Sequence, residues 1–96
     1  PDGTVVGVAE HTLLLILAVY KRLTAVHESV RRGEFDPVGW RSQCHFLRGK
    51  TVGIVGFGRI GRRVAHLANA FEAKVVYADV AAAPADVEAR LDATRV

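Results

Sequence analysis

The residues most suited to binding a ligand form a glycine-rich segment, Gly56-Phe57-Gly58-Arg59-Ile60-Gly61. Its spacing is G-x-G-x-x-G. This pattern is typical of the turn between a strand and a helix that binds a pyrophosphate. Gly56 would permit the tight turn, Gly58 lacks a Cβ atom and would let the backbone approach the anion, and Gly61 would let the helix pack closely on the strand. The N–H groups of the first helical turn, at Arg59 and Ile60, would then face the anion together with the positive end of the helix dipole.

An acidic residue, Asp79, ends the next apolar segment, 23 positions after Gly56. A carboxylate at that place can accept hydrogen bonds from the hydroxyl groups of an adenosine ribose, and it repels a 2′-phosphate. Residues 80–83 offer no Arg or Lys to receive such a phosphate. The sequence therefore predicts NAD rather than NADP as the cofactor. The alternative interpretation is that Asp79 only caps a turn at the end of its strand.

Three arginines, Arg59, Arg62 and Arg63, lie in the first turns of the helix that follows. Cations there oppose the helix dipole at a cost of about 0.3–1 kcal/mol each when exposed, and an anionic ligand would reverse that effect. Arg59 lies inside the turn, so we predict that it contacts a phosphate. For Arg62 and Arg63 a solvated position on the outer face is favoured.

The remaining polar candidates form no recognisable catalytic or metal-binding pattern. Cys44 and His45 are adjacent, but together with His27 and His66 they lack the ligand spacings that favour zinc, so no metal site is predicted. His11 lies near the start of the first predicted helix, where a structural or interface role is favoured over acid–base chemistry. No residue has the companions of a catalytic triad, and no catalytic residue is assigned.

Apolar periodicity indicates the elements that would position these residues. Apolar residues recur at intervals of three or four over residues 5–33, which predicts one long helix closed by a glycine. Residues 34–49 mix proline, glycine and aromatic residues without a period, and they are predicted to form a loop. Residues 50–79 form a predicted βαβ unit: a β-branched strand over Thr51–Val55, a helix over Ile60–Phe71 and a second strand over Lys74–Ala78.

This order predicts an α/β fold with a Rossmann-type dinucleotide-binding βαβ unit preceded by a long helix. After it, Pro84 suits the first turn of a short helix that contains Val87 and Leu91. Two parallel strands and one crossover helix cannot bury both faces of a sheet. The chain also begins with Pro1 and contains no methionine. We therefore expect residues 1–96 to be a partial nucleotide-binding domain, incomplete as a doubly wound parallel sheet.

Composition narrows the classes of function. Half of the 96 residues are hydrophobic, which is unlike a disordered tail. The net charge is +3 and no basic run exceeds two residues, so no nucleic-acid partner is predicted. The longest apolar run, residues 13–20, is far shorter than the roughly 20 residues that span a bilayer, so we expect no membrane partner. The single cysteine, Cys44, is compatible with the cytoplasm, the expected location.

Two stretches, Val8–Leu13 and Leu47–Gly61, resemble the D-isomer-specific 2-hydroxyacid dehydrogenases, and the resemblance extends over about residues 5–79. It implies a two-domain enzyme in which this chain is the first part of the NAD-binding domain. Glu72 and Cys44 stand where many relatives have Gly, and a left-handed backbone at Glu72 would cost about 1 kcal/mol. The predicted cofactor-binding residues are Gly56, Phe57, Gly58, Arg59, Ile60, Gly61 and Asp79.

The resemblance also implies an activity and partners. Members of the family reduce 2-keto acids with NADH or oxidise D-2-hydroxy acids, with an Arg, a Glu and a His whose motifs lie downstream of anything that matches this chain. It implies a homodimer through the nucleotide-binding domains, which would explain why the helix at residues 13–20 is apolar on more than one side. Two other functions stay open: a non-catalytic, NAD-responsive interaction protein of the corepressor type, and a fragment without activity of its own.

Overall fold

The computed structural model describes residues 2–96 and shows an α/β arrangement with a single parallel sheet. The helices are α1 (Asp2–Tyr20), α2 (Leu23–Arg31), α3 (Pro37–Gln43), α4 (Arg59–Ala70) and α5 (Ala85–Leu91). The strands are β1 (Thr51–Val55), β2 (Lys74–Ala78) and β3 (Ala93–Arg95). Within the described residues the sheet has the order β1-β2-β3. The α/β fold class expected from the sequence is confirmed.

The predicted βαβ unit is formed by β1, α4 and β2. The two strands have the predicted bounds and pair in parallel, from Thr51 opposite Lys74 to Val55 opposite Ala78. The helix ends at a C-cap, after which Glu72 takes a φ of 63°, the left-handed conformation considered above. This tight exit returns the chain directly to β2.

A third strand, β3, was not predicted. It pairs in parallel with β2, and Arg95 lies opposite Tyr77 in the register. Its three residues are too few to show a period of two, so no pattern in the sequence indicates this strand. The short helix before it is confirmed as α5, in which Val87 and Leu91 are buried, although Pro84 is its N-cap rather than a first-turn residue.

The core lies around α4, which packs between α1 and the sheet. Small residues at this helix face, Ala65 and Ala68, are fully buried and allow α1 to approach through Ala9. On the other side of α4, Tyr77 of β2 and Leu91 of α5 are the largest fully buried side chains. The helix that begins at the glycine-rich turn is therefore held on both sides.

The prediction of one helix over residues 5–33 is wrong, because the chain breaks after α1. Lys21 and Arg22 separate α1 from α2, and Arg22 has a φ of 55°, in the left-handed region. The C-terminal end of the expected helix is correct to within two residues, since α2 ends at Arg31 and Gly33 follows with a φ of 73°. The apolar residues keep their spacing of three or four across the break, so periodicity does not indicate the change of chain direction.

The break has a physical cause in a distant segment. The His45 N–H donates to the Tyr20 carbonyl oxygen at 2.9 Å, and the Cys44 thiol lies 3.2 Å from the Lys21 carbonyl oxygen. Lys21 Nζ donates in turn to the His45 carbonyl oxygen at 2.9 Å. The first two of these bonds use carbonyl groups, of Tyr20 and Lys21, that a continuous helix would have kept for its own N–H groups.

The loop predicted over residues 34–49 contains a short helix, α3. The Asp36 side chain accepts a hydrogen bond from the Gly39 N–H at 3.1 Å, and Pro37 occupies the first helical position. An N-cap aspartate followed by proline is a helix-start signal, and it outweighs the loop-like composition of residues 34–49. We call α1, α2 and α3 together (residues 2–43) the helical arm.

The helix α1 is more apolar than the run of residues 13–20 suggested. It has 19 residues and a mean hydropathy of 1.7 over its most apolar 18-residue window, so by length and composition it could cross a membrane. Only 11% of that window is buried. However, Glu10 lies at its middle, and a charge at the centre of a spanning helix costs about 2.5–3.5 kcal/mol. Its exposed outer face is formed by Leu14, Leu15 and Val19.

Candidate cofactor site

The glycine-rich turn joins the end of β1 to the start of α4. Gly56 has a φ of 88°, a conformation that residues with a side chain rarely adopt, and its N–H donates to the Ala78 carbonyl oxygen at 2.8 Å. This bond ties the turn to the end of β2. The predicted role of Gly56 in a tight turn is confirmed.

The other two glycines differ in what surrounds them. A Cβ atom on Gly61 would collide with the Gly56 carbonyl oxygen and approach the Ile54 Cγ2 atom to 3.1 Å. The close packing of α4 on β1 that was predicted for Gly61 is therefore confirmed. A Cβ atom on Gly58 would meet no atom within 4 Å, so this side of the turn is open to a ligand.

The start of α4 presents unused hydrogen-bond donors. The backbone N–H groups of Arg59, Ile60 and Gly61 have no acceptor among residues 2–96. They lie beside a groove of about 500 Å³, to which Thr4 and Val5 of α1 contribute the opposite wall. No sequence pattern points to these two residues, because only the packing of α1 on α4 brings them to the turn. Donors at a helix start with an open approach fit the pyrophosphate of a dinucleotide.

Phe57 takes part in the turn through its backbone, since its N–H donates to Asp79 and its carbonyl oxygen accepts from Arg62. Its ring is buried in the core, where it stacks on the Tyr77 ring with 4.1 Å between centroids and an interplanar angle of 14°. A contact of Phe57 with the cofactor would therefore have to come from its backbone, and the cofactor role predicted for Phe57 stays a prediction. The aromatic pair fixes the turn on β2, because such stacking adds to the burial of both rings.

Tyr77 also connects the turn with the segment after β2. Its hydroxyl group donates to Glu88 Oε2 at 2.7 Å and accepts from the Ala83 N–H at 2.8 Å. Burial raises the pKa of Tyr77, and the hydrogen bond to Glu88 adds to this effect. The hydroxyl group therefore stays protonated and holds the segment that follows Asp79 in place.

Asp79 lies directly across from the turn and is exposed. Its Oδ2 atom accepts from the Phe57 N–H and its Oδ1 atom from the Val80 N–H, each at 2.7 Å. These hydrogen bonds lower the pKa of Asp79, and the charges of Arg95 and Arg62 lower it further. Asp79 therefore does cap the turn at the end of its strand, as the alternative interpretation states. Each oxygen still has a second lone pair, so the carboxylate fits a ribose hydroxyl group as well.

Two arginines near Asp79 change what was inferred about its surroundings. Arg62 is half-buried, donates from Nε to the Phe57 carbonyl oxygen at 3.0 Å and lies over the Phe57 ring at 5.8 Å, so the merely solvated position favoured for it is wrong. Arg95 donates from Nη2 to the Asp79 carbonyl oxygen at 3.0 Å. Parallel pairing of β3 with β2 brings this guanidinium to the strand end, which the sequence of residues 80–83 could not reveal. Arg63 is exposed, as expected.

The Arg59 side chain has a protein partner. Its Nη2 atom lies 2.6 Å from Asp2 Oδ1, and both side chains are largely exposed. Exposed pairs of this kind contribute about 0–1 kcal/mol, so the guanidinium is readily available to another anion. The predicted phosphate contact of Arg59 stays a prediction.

The other polar candidates do not assemble into a reactive centre. Cys44 and His45 donate hydrogen bonds to carbonyl oxygen atoms at the break after α1. The described residues contain no cluster of side chains suited to a metal ion. His11 lies in the middle of α1 rather than near its start, and it is exposed. Among residues 2–96 no serine, threonine or cysteine side chain hydrogen-bonds to a histidine or a carboxylate; their bonds go to main-chain oxygen atoms.

Comparison with known proteins agrees with this geometry. The family described as "D-isomer specific 2-hydroxyacid dehydrogenase, NAD binding domain" matches residues 13–96. The chain belongs to this family, and the resemblance noted from the sequence is confirmed. NAD, the cofactor expected from the sequence, is accordingly the cofactor of the family.

Individual relatives cover most of this chain. Formate dehydrogenase of Neurospora crassa is 38% identical over 95 residues, 98% of this chain and 25% of that protein. Glyoxylate reductase of Thermococcus litoralis is 42% identical over 74 residues, 72% of this chain and 22% of that protein. A solved D-lactate dehydrogenase from Aquifex aeolicus, in complex with NAD and lactic acid, superposes with a TM-score of 0.81 at 34% identity, over 93% of this chain and 26% of that one. The chain thus spans about a quarter of the length of these relatives. The fold is of the Rossmann dehydrogenase type.

Proposed function

We propose that this chain holds the pyrophosphate and the adenosine ribose of NAD in an oxidoreductase that acts on a small 2-hydroxy or 2-keto acid. The observation that carries the proposal is the group of three unaccepted N–H groups at the start of α4, facing an open groove, with the Asp79 carboxylate fastened beside them. In this proposal the N–H groups of Arg59, Ile60 and Gly61 bind the pyrophosphate. Asp79 accepts from the ribose hydroxyl groups.

The residues divide the work between binding and positioning. Gly58 keeps the approach open, the Arg59 guanidinium exchanges Asp2 for a phosphate oxygen, and Asp79 orients the ribose while it holds the turn. NAD, when bound, supplies the hydride chemistry. We assign no proton-transfer residue within this chain, which in the proposal provides the cofactor half of the site.

The substrate is proposed at the level of the family, a D-2-hydroxy acid or its 2-keto acid. Formate is a second candidate, because three formate dehydrogenases match 98% of this chain, whereas the glyoxylate reductases match 72–80%. Absorbance of NADH, followed with glyoxylate, D-lactate and formate in turn, distinguishes these substrates. A protein that binds NADH but turns over none of them would favour the NAD-responsive interaction protein instead.

The cofactor role is tested by a matched pair of glycine variants in the natural protein. Gly58→Ala places a methyl group in the open approach, so we expect the Kd for NADH to rise at least about tenfold, a loss of about 1.4 kcal/mol. Gly53→Ala adds the same methyl group within β1 at 3.9 Å from Val76 Cγ2, an ordinary contact, and should leave the Kd unchanged. A fluorescence titration in which both variants bind NADH like the parent would contradict the proposal.

We also propose that the outer face of α1 packs against the same face of a second copy. Leu15 is 55% exposed and Val19 72% exposed, and a contiguous apolar patch of this kind marks an interface. A two-fold axis would bring the face onto itself. Light scattering should show a dimer that Leu15→Asp converts to a monomer, whereas Val38→Asp on α3 should not. Association of the parent protein with lipid vesicles would contradict this arrangement.

A further inference from the structure

Asp79 lies in a positive environment that the local sequence does not show. The guanidinium of Arg95 is anchored on the Asp79 carbonyl oxygen at 3.0 Å, and Arg62 is anchored on the Phe57 carbonyl oxygen at 3.0 Å, one residue into the glycine-rich turn. Both charges lower the pKa of the Asp79 carboxylate, although no ion pair within 4 Å among residues 2–96 includes it. Asp79 is thus one negative charge beside two fixed positive charges.

Two anchored guanidinium groups at the adenosine end would suit a cofactor that carries an additional phosphate on its ribose. In NADP a 2′-phosphate replaces the ribose hydroxyl group that would donate a hydrogen bond to the aspartate. A nearby arginine can accommodate this phosphate. Arg95 is exposed, and its guanidinium retains further N–H donors after the bond to Asp79. A planar guanidinium with several donors suits a phosphate better than an ammonium group does.

We propose that Arg95 is a specificity-determining residue of the adenosine end, a receptor for a 2′-phosphate that the Asp79 carboxylate alone keeps out. The inference rests on the proposed cofactor role of Asp79 and adds a residue to it. Discrimination against NADP is then a repulsion by one side chain and not a lack of positive charge. Neutralising Asp79 should expose a phosphate site that already exists.

The contribution of Arg95 is separable from that of Arg62. Arg62 packs over the buried Phe57 ring, so its replacement would disturb the turn itself. Arg95 is the last residue of β3, and within residues 2–96 its side chain makes a single hydrogen bond, to a main-chain oxygen. Its substitution should therefore leave the turn in place.

The experiment measures the binding of AMP and of adenosine 2′,5′-bisphosphate to the natural protein by calorimetry, because these probes occupy the adenosine end alone. The parent should bind AMP and bind the bisphosphate more weakly. Asp79→Asn should raise affinity for the bisphosphate about tenfold or more, because it removes the carboxylate charge that repels the 2′-phosphate while Arg95 remains in place. Adding Arg95→Ala should remove most of that gain and change AMP binding less than about threefold. Arg95→Lys should keep part of the gain, because the charge remains.

Arg48→Ala is the matched control, since Arg48 is an exposed arginine at the opposite end of the sheet, paired with Glu72 at 3.5 Å. It should leave the gain intact. If Asp79→Asn gains affinity for the bisphosphate equally with and without Arg95, the inference is wrong while the proposed function stands. If the parent binds neither AMP nor NADH, the proposed function fails and the inference fails with it.

Discussion

The helical arm and the βαβ unit of this chain differ in how much of their apolar helix surface is buried. In the βαβ unit, α4 lies between α1 and the sheet, and Val64, Ala65 and Ala68 are buried. In the arm, α1 buries only Ala9 and Leu13, and the apolar outer face is open. The molecule is correspondingly elongated, with extents of 51 × 28 × 20 Å. The βαβ unit therefore buries the apolar face of α4, partly against α1, whereas the arm leaves the outer face of α1 exposed.

The largest effect should come from breaking the closest packing in the βαβ unit. Gly61→Ala drives a methyl group into the Gly56 carbonyl oxygen, and backbone cannot move aside cheaply, so we expect a loss of about 3 kcal/mol in the free energy of unfolding. Gly58→Ala should cost much less, because its methyl group meets no atom within 4 Å. Urea denaturation of both variants checks this difference. Equal losses would mean that the turn is not packed as tightly as described.

A second prediction concerns the buried hydroxyl group of Tyr77. Tyr77→Phe leaves the Ala83 N–H without its acceptor and Glu88 without its donor, at a cost of about 1–3 kcal/mol. The corresponding change in the arm, Tyr20→Phe, should cost less, because Tyr20 contacts His45 through its ring. Thermal unfolding of the two variants compares the regions directly. A larger effect at Tyr20 would reverse the comparison.

The left-handed residues provide the same test in both regions. Glu72 and Arg22 carry side chains at φ values of 63° and 55°, so replacing either by glycine should stabilise its region by about 0.5–1 kcal/mol. Glu72→Gly should raise the midpoint of global unfolding, since it lies within the βαβ unit. Arg22→Gly should instead slow hydrogen exchange in α2, if the arm opens separately. Glu72→Ala, which keeps the strain, should not raise the midpoint.

The smallest effect should be the pH dependence contributed by Asp79. Its pKa in the folded protein lies below the ordinary value of 3.8, because the carboxylate accepts two backbone hydrogen bonds. The ionised group therefore stabilises the fold above pH 3.8, and this contribution is lost as the pH falls through the lower, folded value. The difference in melting temperature between the parent and Asp79→Asn should be full at pH 7 and shrink below pH 3.8. A constant difference down to pH 3 would contradict this linkage.

The βαβ unit was predictable because its signals are local. A β-branched run, a glycine pattern and an aspartate at a strand end lie in one continuous segment, and the predicted bounds of the two strands and the helix agree with the structure to within one residue at every end. The break at Arg22 was not predictable, because its cause is a pair of hydrogen bonds from Cys44 and His45 more than 20 residues away.

The same distinction holds within the candidate site. Gly56, Gly61 and Asp79 were identified from spacing alone. Thr4 and Arg95 were not, because helix packing brings the first to the site and parallel strand pairing brings the second. Spacing also could not show that the Phe57 ring points into the core.

The two hydrogen bonds of Asp79 have an evolutionary consequence. Descendants of this protein that exchange their cofactor must change the residue that also fastens the glycine-rich turn, so a new preference arises together with a loss of stability. Asparagine keeps one carbonyl acceptor and is the least disruptive first step, whereas alanine removes both bonds at once. Lineages that leave NAD should therefore pass through asparagine or serine at position 79, or acquire a compensating stabilisation of the turn beforehand.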